Sequence, residues 1–496
     1  MLRASPLSPL PLAARFDAIA APTAPASKLF DAAGDGLVLK TRPDRGLAPE
    51  DAAQEIRLAL MGDERRALAL ALADRLRAPA PTLERRRLRA KIAEAYAARD
   101  YAPLWAEASS REAVAKRLHL AGEDGLDLRD FPIPAVAETG GALRASDELD
   151  FSEAVAAYVA QARGSRIDPE SISPLIGAKP EAPDVAAALT ALAGSGAGAD
   201  EMLRAYNPPH YGCRLLREKL AELRRQGSLA SRDAIVEARD AASLDDSGAS
   251  PPRGKRGRER TDRDYLEGEI LANMERWRWL PRDLGADHVE INIPEFELAV
   301  VRGGAVTHRT RVIVGKEATP TPIFSNAVQY VIVNPAWNVP ESILVKEMHG
   351  DVGRLAARGW KVRYAHGKTM VQQPPGPGNA LGQLKIMFPN DFSVYMHDTP
   401  SRGLFSARRR AFSHGCMRVQ EPFALAEAIL GPDSGWSQAR LRRLIGASER
   451  YVTLKTPLPI HIEYFTAFVD EYGRLQQRED IYGHSAKLRR ALGWGG

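Results

Sequence analysis

The sequence predicts a multidomain α+β chain, with an all-α N-terminal domain and a mainly antiparallel, sandwich-like β domain at the C-terminal end. Three observations carry this expectation. From Asp51 to Arg225 apolar residues recur at helical spacing. From His288 onward, short runs rich in β-branched residues alternate with turn signals. Between the two, residues 226–263 are polar and poor in aromatics, as linkers are. A length of 496 residues also exceeds what one domain ordinarily holds.

In chain order, residues 1–50 are rich in Ala, Pro and Gly and read as a flexible lead. Residues 51–225 form the helical domain. Leu88, Ile92 and Tyr96 lie four apart in Leu83–Arg99, giving an apolar stripe opposite arginines. Further helices are expected near Arg111–Leu120, Asp147–Ala162, Asp184–Ala193 and Tyr211–Arg225, with turns at Gly140-Gly141 and Pro208-Pro209. The linker 226–263 includes the basic run Arg253–Arg258, whose ordinary role is a solvated charge run. A helix from Asp264 to about Trp279 opens the second domain, which is expected to run to about 485, with 486–496 as a tail. Strands are expected at His288–Ile293, Phe296–Val301, Thr310–Val314, Val328–Val333, Leu384–Phe388, Phe392–Met396, Tyr451–Leu454 and Ile460–Tyr464. Gly303-Gly304 marks a hairpin turn, and Pro422–Leu430 returns to helix.

Composition excludes several classes. Hydrophobic content of 44% and charged content of 26% are ordinary for globular chains, and the net charge of +5 is spread over many residues. No basic run interleaved with aromatics reads as a nucleic-acid face. No stretch of 18 apolar residues exists, so no transmembrane span is expected. Near the N-terminus, Pro6, Pro9 and Pro11 break the apolar segment, which makes a poor signal-peptide core. Two cysteines far apart in the chain make no disulfide framework, and Cys213 reads as a small core residue.

Chemistry concentrates around the other cysteine. Cys416 lies in Ser413-His414-Gly415-Cys416-Met417-Arg418, and His397 lies upstream in Tyr395-Met396-His397-Asp398-Thr399. A free thiol titrates near ~8.5, so a nucleophilic cysteine needs a base or positive charge beside it. His397, just past a strand end, can reach the sulfur from across a site and serve as the base. His414, two residues from Cys416, need not face the sulfur and is expected to shape an oxyanion hole with Gly415. Gly415 permits a tight turn that aims the Gly415 and Cys416 N–H groups into one oxyanion hole. Arg418 suits a substrate carboxylate. Tyr395 shares a strand face with His397. A zinc site on His397, His414 and Cys416 is the competing reading, but a fourth ligand and Cys-x-x-Cys spacing are lacking.

These residues resemble a family. His397, a loop, and then Ser413-His414-Gly415-Cys416-x-Arg418 is similar to the signature of the L,D-transpeptidase catalytic domain. Val312–Lys316 followed by Thr319-Pro320-Thr321-Pro322 resembles the family's strand and Gly-Lys…Thr-Pro turn, and the segment Asn334–Pro340, the stretch Glu275–Pro281 and the run Pro375–Gly382 resemble the large Gram-negative members. Upstream, Tyr96–Trp105, Asp124-Gly125-Leu126 and Gly164–Pro169 resemble their helical scaffold domain.

The resemblance implies a two-step acyl transfer on peptidoglycan. Cys416 attacks the third residue of a tetrapeptide stem, D-alanine leaves, and an amine of a second stem closes a 3→3 crosslink, with His397 moving the proton. Trp337 and Tyr395 would line the donor pocket, with Ser413 and Arg418 also binding substrate, under a mobile lid at about 341–383 with Gly367 as a possible hinge. No metal or cofactor is implied. A periplasmic location and inhibition by carbapenems are expected by analogy. The linker 226–263 stands where such proteins carry a small wall-binding module, so that module is expected to be missing or degenerate. Two other chemistries stay open: a peptidase using water as acceptor, and attachment of the stem to an amine of an outer-membrane protein. Common cell-wall cysteine peptidases place Cys before His, the reverse of the order here. A wall-binding scaffold with a dead site is a further alternative, opposed by the intact Cys416, His397 and Arg418.

Overall fold

The computed structural model describes residue 58 and residues 61–135, 143–225, 262–365, 367–446 and 448–494. The lead 1–50 and linker residues 226–261 lie outside the described residues. The architecture is a helical N-terminal region followed by a mostly β C-terminal region. The described residues divide into two compact units, one of those up to 163 together with 182–207 and the other of 164–181 together with those from 208 onward. Residues 164–181 and the helix Tyr211–Arg225 therefore pack in the second unit, although in sequence they sit within the helical stretch.

The first unit packs the helices Asp63–Arg77, Leu83–Ala98, Ala108–His119, Ala145–Ala162 and Val185–Ala193 around Tyr96, Trp105, Phe151 and Tyr158. The stripe read from the sequence is the buried face, because Leu88, Ile92 and Tyr96 all lie in this core. Thr82 caps the second of these helices by accepting from the Arg85 N–H. The helix Ala145–Ala162 runs through the middle and is buried nearly all round. Its polar residues survive there only because each is paired. Glu148 accepts from the Leu104 and Trp105 N–H groups and from the Tyr96 hydroxyl. Glu153 accepts from Arg75, Arg85 and Arg89 at 3.2, 2.8 and 3.0 Å.

The second unit holds β1 (His288–Asn292), β2 (Glu297–Arg302), β3 (Ala305–Gly315), β4 (Phe324–Val333), β5 (Trp337–Asn338), β6 (Lys361–Ala365), β7 (Lys368–Gln373), β8 (Leu384–Met387), β9 (Met396–His397), β10 (Ala411–Ser413), β11 (Met417–Val419) and β12 (Arg450–Glu463). Nine of them form one sheet in the order β10-β3-β11-β9-β8-β4-β12-β1-β2. An additional β2–β3 pairing closes it on itself, so the faces that enclose the core belong to one continuous sheet. Three pairings are parallel, β1–β12, β9–β11 and β3–β10, and the rest are antiparallel. Gly303 and Gly304 make the β2–β3 turn, as read from the sequence. The helix Pro422–Leu430 puts Phe423, Leu425, Ala426 and Ile429 into the core. No helix among the described residues is long and apolar enough to cross a membrane.

Two expectations are corrected here. Residues 486–494 are not a tail: the helix His484–Ala491 packs Leu488, and Leu492 follows it into the core, because both are apolar and spaced by one helical turn. Residues 341–383 are not a long loop either. They carry the helices Glu341–Lys346 and Val352–Ala357 and the hairpin β6–β7, which with β5 makes a three-stranded sheet. Leu344, Leu355 and Val371 form a small core of their own with Val339, Met348, Val352, Trp360 and Val362. Gly367 sits at the tip of that hairpin, with φ +72°, rather than at a hinge.

Candidate active site

The site is built where three short strands lie side by side. On β11, β9 and β8 the residues Arg418, His397 and Lys385 are direct cross-strand neighbours. The alternation of side chains along a strand explains the arrangement. Met417, Met396 and Ile386, the next row, are buried in the core, which turns Arg418, His397 and Lys385 to the opposite face. Two positions earlier on the same face of β11 and β9 come Cys416 and Tyr395.

The turn that carries Cys416 is cradled by the segment 315–321. Lys316 N–H and the Thr319 hydroxyl donate to the Ser413 carbonyl, at 2.9 and 3.2 Å. The Thr321 hydroxyl donates to the Gly415 carbonyl at 2.8 Å and accepts from the Gly315 N–H at 2.9 Å. Tyr482 donates to the Gly315 carbonyl and accepts from the Thr321 N–H. Two glycines are required by this packing. A Cβ on Gly315 would sit 2.2 Å from the Thr319 carbonyl oxygen. Gly415 has φ +107°, a conformation that side chains resist.

His397 is buried, and its Nδ1 lies 2.5 Å from the carbonyl oxygen of Asp398. A carbonyl only accepts, so Nδ1 carries the hydrogen and Nε2 keeps a free lone pair. Asp398 is itself pinned, accepting from the N–H groups of Gln383 and Thr399 and from Arg402. Burial lowers the His397 pKa to about 3; the Asp398 carbonyl works against that, and the charges of Arg418 and Lys385 add to it. His397 is therefore a neutral imidazole near neutral pH, able to receive a proton.

Cys416 is half-buried. Burial pushes its thiol up, opposed by a backbone hydrogen bond from Tyr395, the Lys385 charge, the Tyr395 hydroxyl and the Arg418 charge. Tyr395 is pushed above its usual range, by burial first and then by the negative charge that Cys416 carries once ionised. Trp337, on β5, acts on the Tyr395 hydroxyl in the opposite sense. Trp337 also meets Trp360 edge to face, with ring centroids 6.1 Å apart. An acceptor imidazole, a thiol and two adjacent cations together supply what nucleophilic acyl transfer requires.

The structure brings together most of the residues read from the sequence and separates others. Cys416, His397, Tyr395, Arg418 and Trp337 converge. His414 does not: it is exposed, and its Nε2 contacts the Glu347 carboxylate and lies 3.3 Å from Lys316 Nζ. With His414 turned away, the three residues weighed for zinc do not share a centre. Among the described residues no group of three or more His, Cys, Asp or Glu is arranged to hold a metal. Ser413 is buried, donating to the Cys416 carbonyl at 2.5 Å and accepting from the Gly415 N–H at 3.3 Å. Its hydroxyl thus shapes the turn. The Gly415 N–H is engaged by the same contact, which leaves the Cys416 N–H as the other donor the sequence reading named.

Sequence reasoning missed Lys385. It lies in the alternating run Leu384-Lys385-Ile386-Met387, where a lysine reads as an ordinary solvent-facing residue. Only the pairing of β8 with β9 sets it beside His397. Glu347 was missed for a similar reason, because it comes from the segment that was read as a loop.

Comparison with known proteins agrees with this geometry. Residues 286–457 match the L,D-transpeptidase catalytic domain family, and residues 90–220 match the Scaffold domain family. A Haemophilus influenzae protein provisionally named L,D-transpeptidase is 28% identical over 249 residues, which is 46% of this chain and 50% of that one. The chain thus spans half the length of this curated relative. Among solved structures, an L,D-transpeptidase from Mycobacterium smegmatis aligns over 36% of this chain and 58% of its own, at 14% identity and a TM-score of 0.20. L,D-transpeptidase 3 from Mycobacterium tuberculosis, in complex with a faropenem-derived adduct, aligns over 36% and 60%, at 12% identity and a TM-score of 0.20.

Proposed function

From a chain that carries an L,D-transpeptidase catalytic domain preceded by a Scaffold domain, we propose an enzyme that forms 3→3 crosslinks in peptidoglycan through a thioester on Cys416. The observation that carries this reading is the pairing of β9 with β11, which sets His397 and Arg418 side by side just after Tyr395 and Cys416, with the Arg418 charge acting on the thiol.

In the first step His397 Nε2 takes the thiol proton. The sulfur attacks the carbonyl carbon of the third stem residue, a diaminopimelate, and the amide bond to the terminal D-alanine breaks. The imidazolium returns its proton to the leaving amine. In the second step the side-chain amine of another stem attacks the thioester, and His397 accepts its proton. The new amide forms as the thiol is restored. Arg418 and the Trp337–Tyr395 pair are suited to hold the donor stem: a guanidinium for its carboxylate, and aromatic faces for its chain.

The test is purified protein with a disaccharide-tetrapeptide. Mass spectrometry is expected to find a crosslinked dimer and free D-alanine, both lost in Cys416→Ala. Shortened tripeptide without dimer would replace this reading by a hydrolase. Dimer formation that appears only when a protein amine is added would move the acceptor from the wall to a protein.

A further inference from the structure

Lys385 is an unusual lysine. It is half-buried, and among the described residues it has no carboxylate within ion-pair distance. Its Nζ instead stands 3.7 Å from the centroid of the Tyr395 ring, a close cation–π contact. A buried cation without an anion is costly, and folds rarely keep one without a use for it.

Its surroundings indicate the use. Across the strands its row continues through His397 to Arg418, and the Tyr395 that it clamps pairs through its carbonyl with the Met417 N–H, next to Cys416, and acts on the thiol. The groups acting on the thiol are Lys385 from β8, Tyr395 just before β9 and Arg418 from β11, and His397 on β9 stands beside Arg418 and Lys385. None of them is an anion. Glu449 acts on Lys385 from farther off, and its carboxylate is occupied by the Ala336 N–H at 2.7 Å.

Many thiol enzymes hold the thiolate against an imidazolium. Here the imidazole lies buried between two cations, which disfavours its charged form before substrate arrives. The missing positive charge lies on either side of it.

We infer that Lys385 is a positioning residue of the nucleophile: its ammonium supplies, with Arg418, the counter-charge of the Cys416 thiolate, and it holds the Tyr395 ring so that the phenol hydroxyl is aimed at the sulfur. The inference rests on the proposed role of Cys416 as nucleophile. It assigns charge compensation to two fixed cations and leaves His397 as the uncharged proton acceptor. When His397 takes the thiol proton, the thiolate forms beside two cations that are already in place, so its charge is compensated as it appears and stays compensated after the imidazolium passes the proton on.

The test is the pH dependence of Cys416 alkylation by iodoacetamide in the full chain, with Cys416→Ala as the blank for the buried Cys213. The thiolate displaces iodide and forms a carbon–sulfur bond, so the rate follows the thiolate fraction. Lys385→Met is expected to move the midpoint up by about one pH unit and to slow alkylation at neutral pH about tenfold. Lys385→Arg, which keeps the charge, is expected to recover most of both. A merely structural lysine would change the melting temperature but not the midpoint. If Lys385→Met does not fold, Lys385→Gln carries the same comparison. A reactive Cys416 whose midpoint is unmoved in the neutral variant overturns this inference alone. A wild-type Cys416 that resists alkylation at every pH overturns the proposed function with it.

Discussion

The helical unit and the thiol site both bury charge, and they treat it in opposite ways. In the helical unit Glu153 is enclosed by three arginines, and Glu148 by two backbone donors and a tyrosine. Both of these carboxylates are fully partnered, and the Glu153 cluster ties three helices together. In the thiol site Lys385 and Arg418 are half-buried with no carboxylate beside them among the described residues. The difference separates structural from functional charge. A buried ion that is fully paired has already used its field within the fold, whereas an unpaired cation keeps its field for a group that becomes negative during the reaction.

The comparison is broken most strongly from the helical side. Glu153→Gln keeps the shape and removes the negative charge, leaving Arg85 and Arg89 without their anion while Arg75 keeps Asp150 at 2.6 Å. The expected loss is about 3 kcal/mol of stability, since removing one member of a buried ionic cluster strands the others. Thermal or urea unfolding reads it, and the Cys416 alkylation midpoint should stay where it is. A destabilisation below about 1 kcal/mol would show that this cluster is not the tie it is taken for.

A smaller effect is expected at the turn between β10 and β11. Gly415→Ala places a Cβ on a residue with φ +107°, and 3.4 Å from the Pro320 carbonyl oxygen. Holding a non-glycine residue there costs about 1–3 kcal/mol. The turn relaxes by shifting Cys416, so the crosslinking rate should fall roughly 10- to 100-fold, following the conversion of about 1.4 kcal/mol per factor of ten. The melting temperature should change only modestly, because Ser413, Thr319 and Thr321 still hold the flanking backbone. Wild-type turnover in this variant would mean that the turn tolerates a side chain and that the sulfur's position is set elsewhere.

Much of this was legible in the sequence, and the parts that were not have a common cause. The helix Pro422–Leu430 and the glycine turn between β2 and β3 followed from local periodicity and turn chemistry, which a single segment contains. Cys416, His397, Tyr395 and Arg418 were legible because each lies within a short, chemically marked string. Lys385 and Glu347 were not, since their meaning depends on which strand or helix folds beside them. The segment 341–383 was misread because its apolar residues, such as Leu344, Leu355 and Val371, are few and scattered, yet they suffice for a small core. His414 was expected to shape the oxyanion hole with Gly415. The positive φ of Gly415 turns the chain between His414 and Cys416, and His414 points to Glu347 instead.

The two histidines offer the finest version of the same contrast. His397 is buried, neutral and bound to a single backbone oxygen, whereas His414 is exposed beside Glu347 and Lys316. An exposed ion pair contributes about 0–1 kcal/mol and weakens in salt. His414→Ala is therefore expected to lower the crosslinking rate less than about fivefold and to leave the alkylation midpoint of Cys416 unmoved, since its ring contacts the segment that bears Glu347 rather than the thiol. Glu347→Gln should reproduce the same small effect, and the double variant should add little, because one contact is lost either way. His397→Ala, measured beside them, should all but stop crosslinking by removing the proton acceptor. A His414→Ala variant as inactive as His397→Ala would place His414 in the proton path and erase the distinction between a paired surface group and an uncommitted buried one.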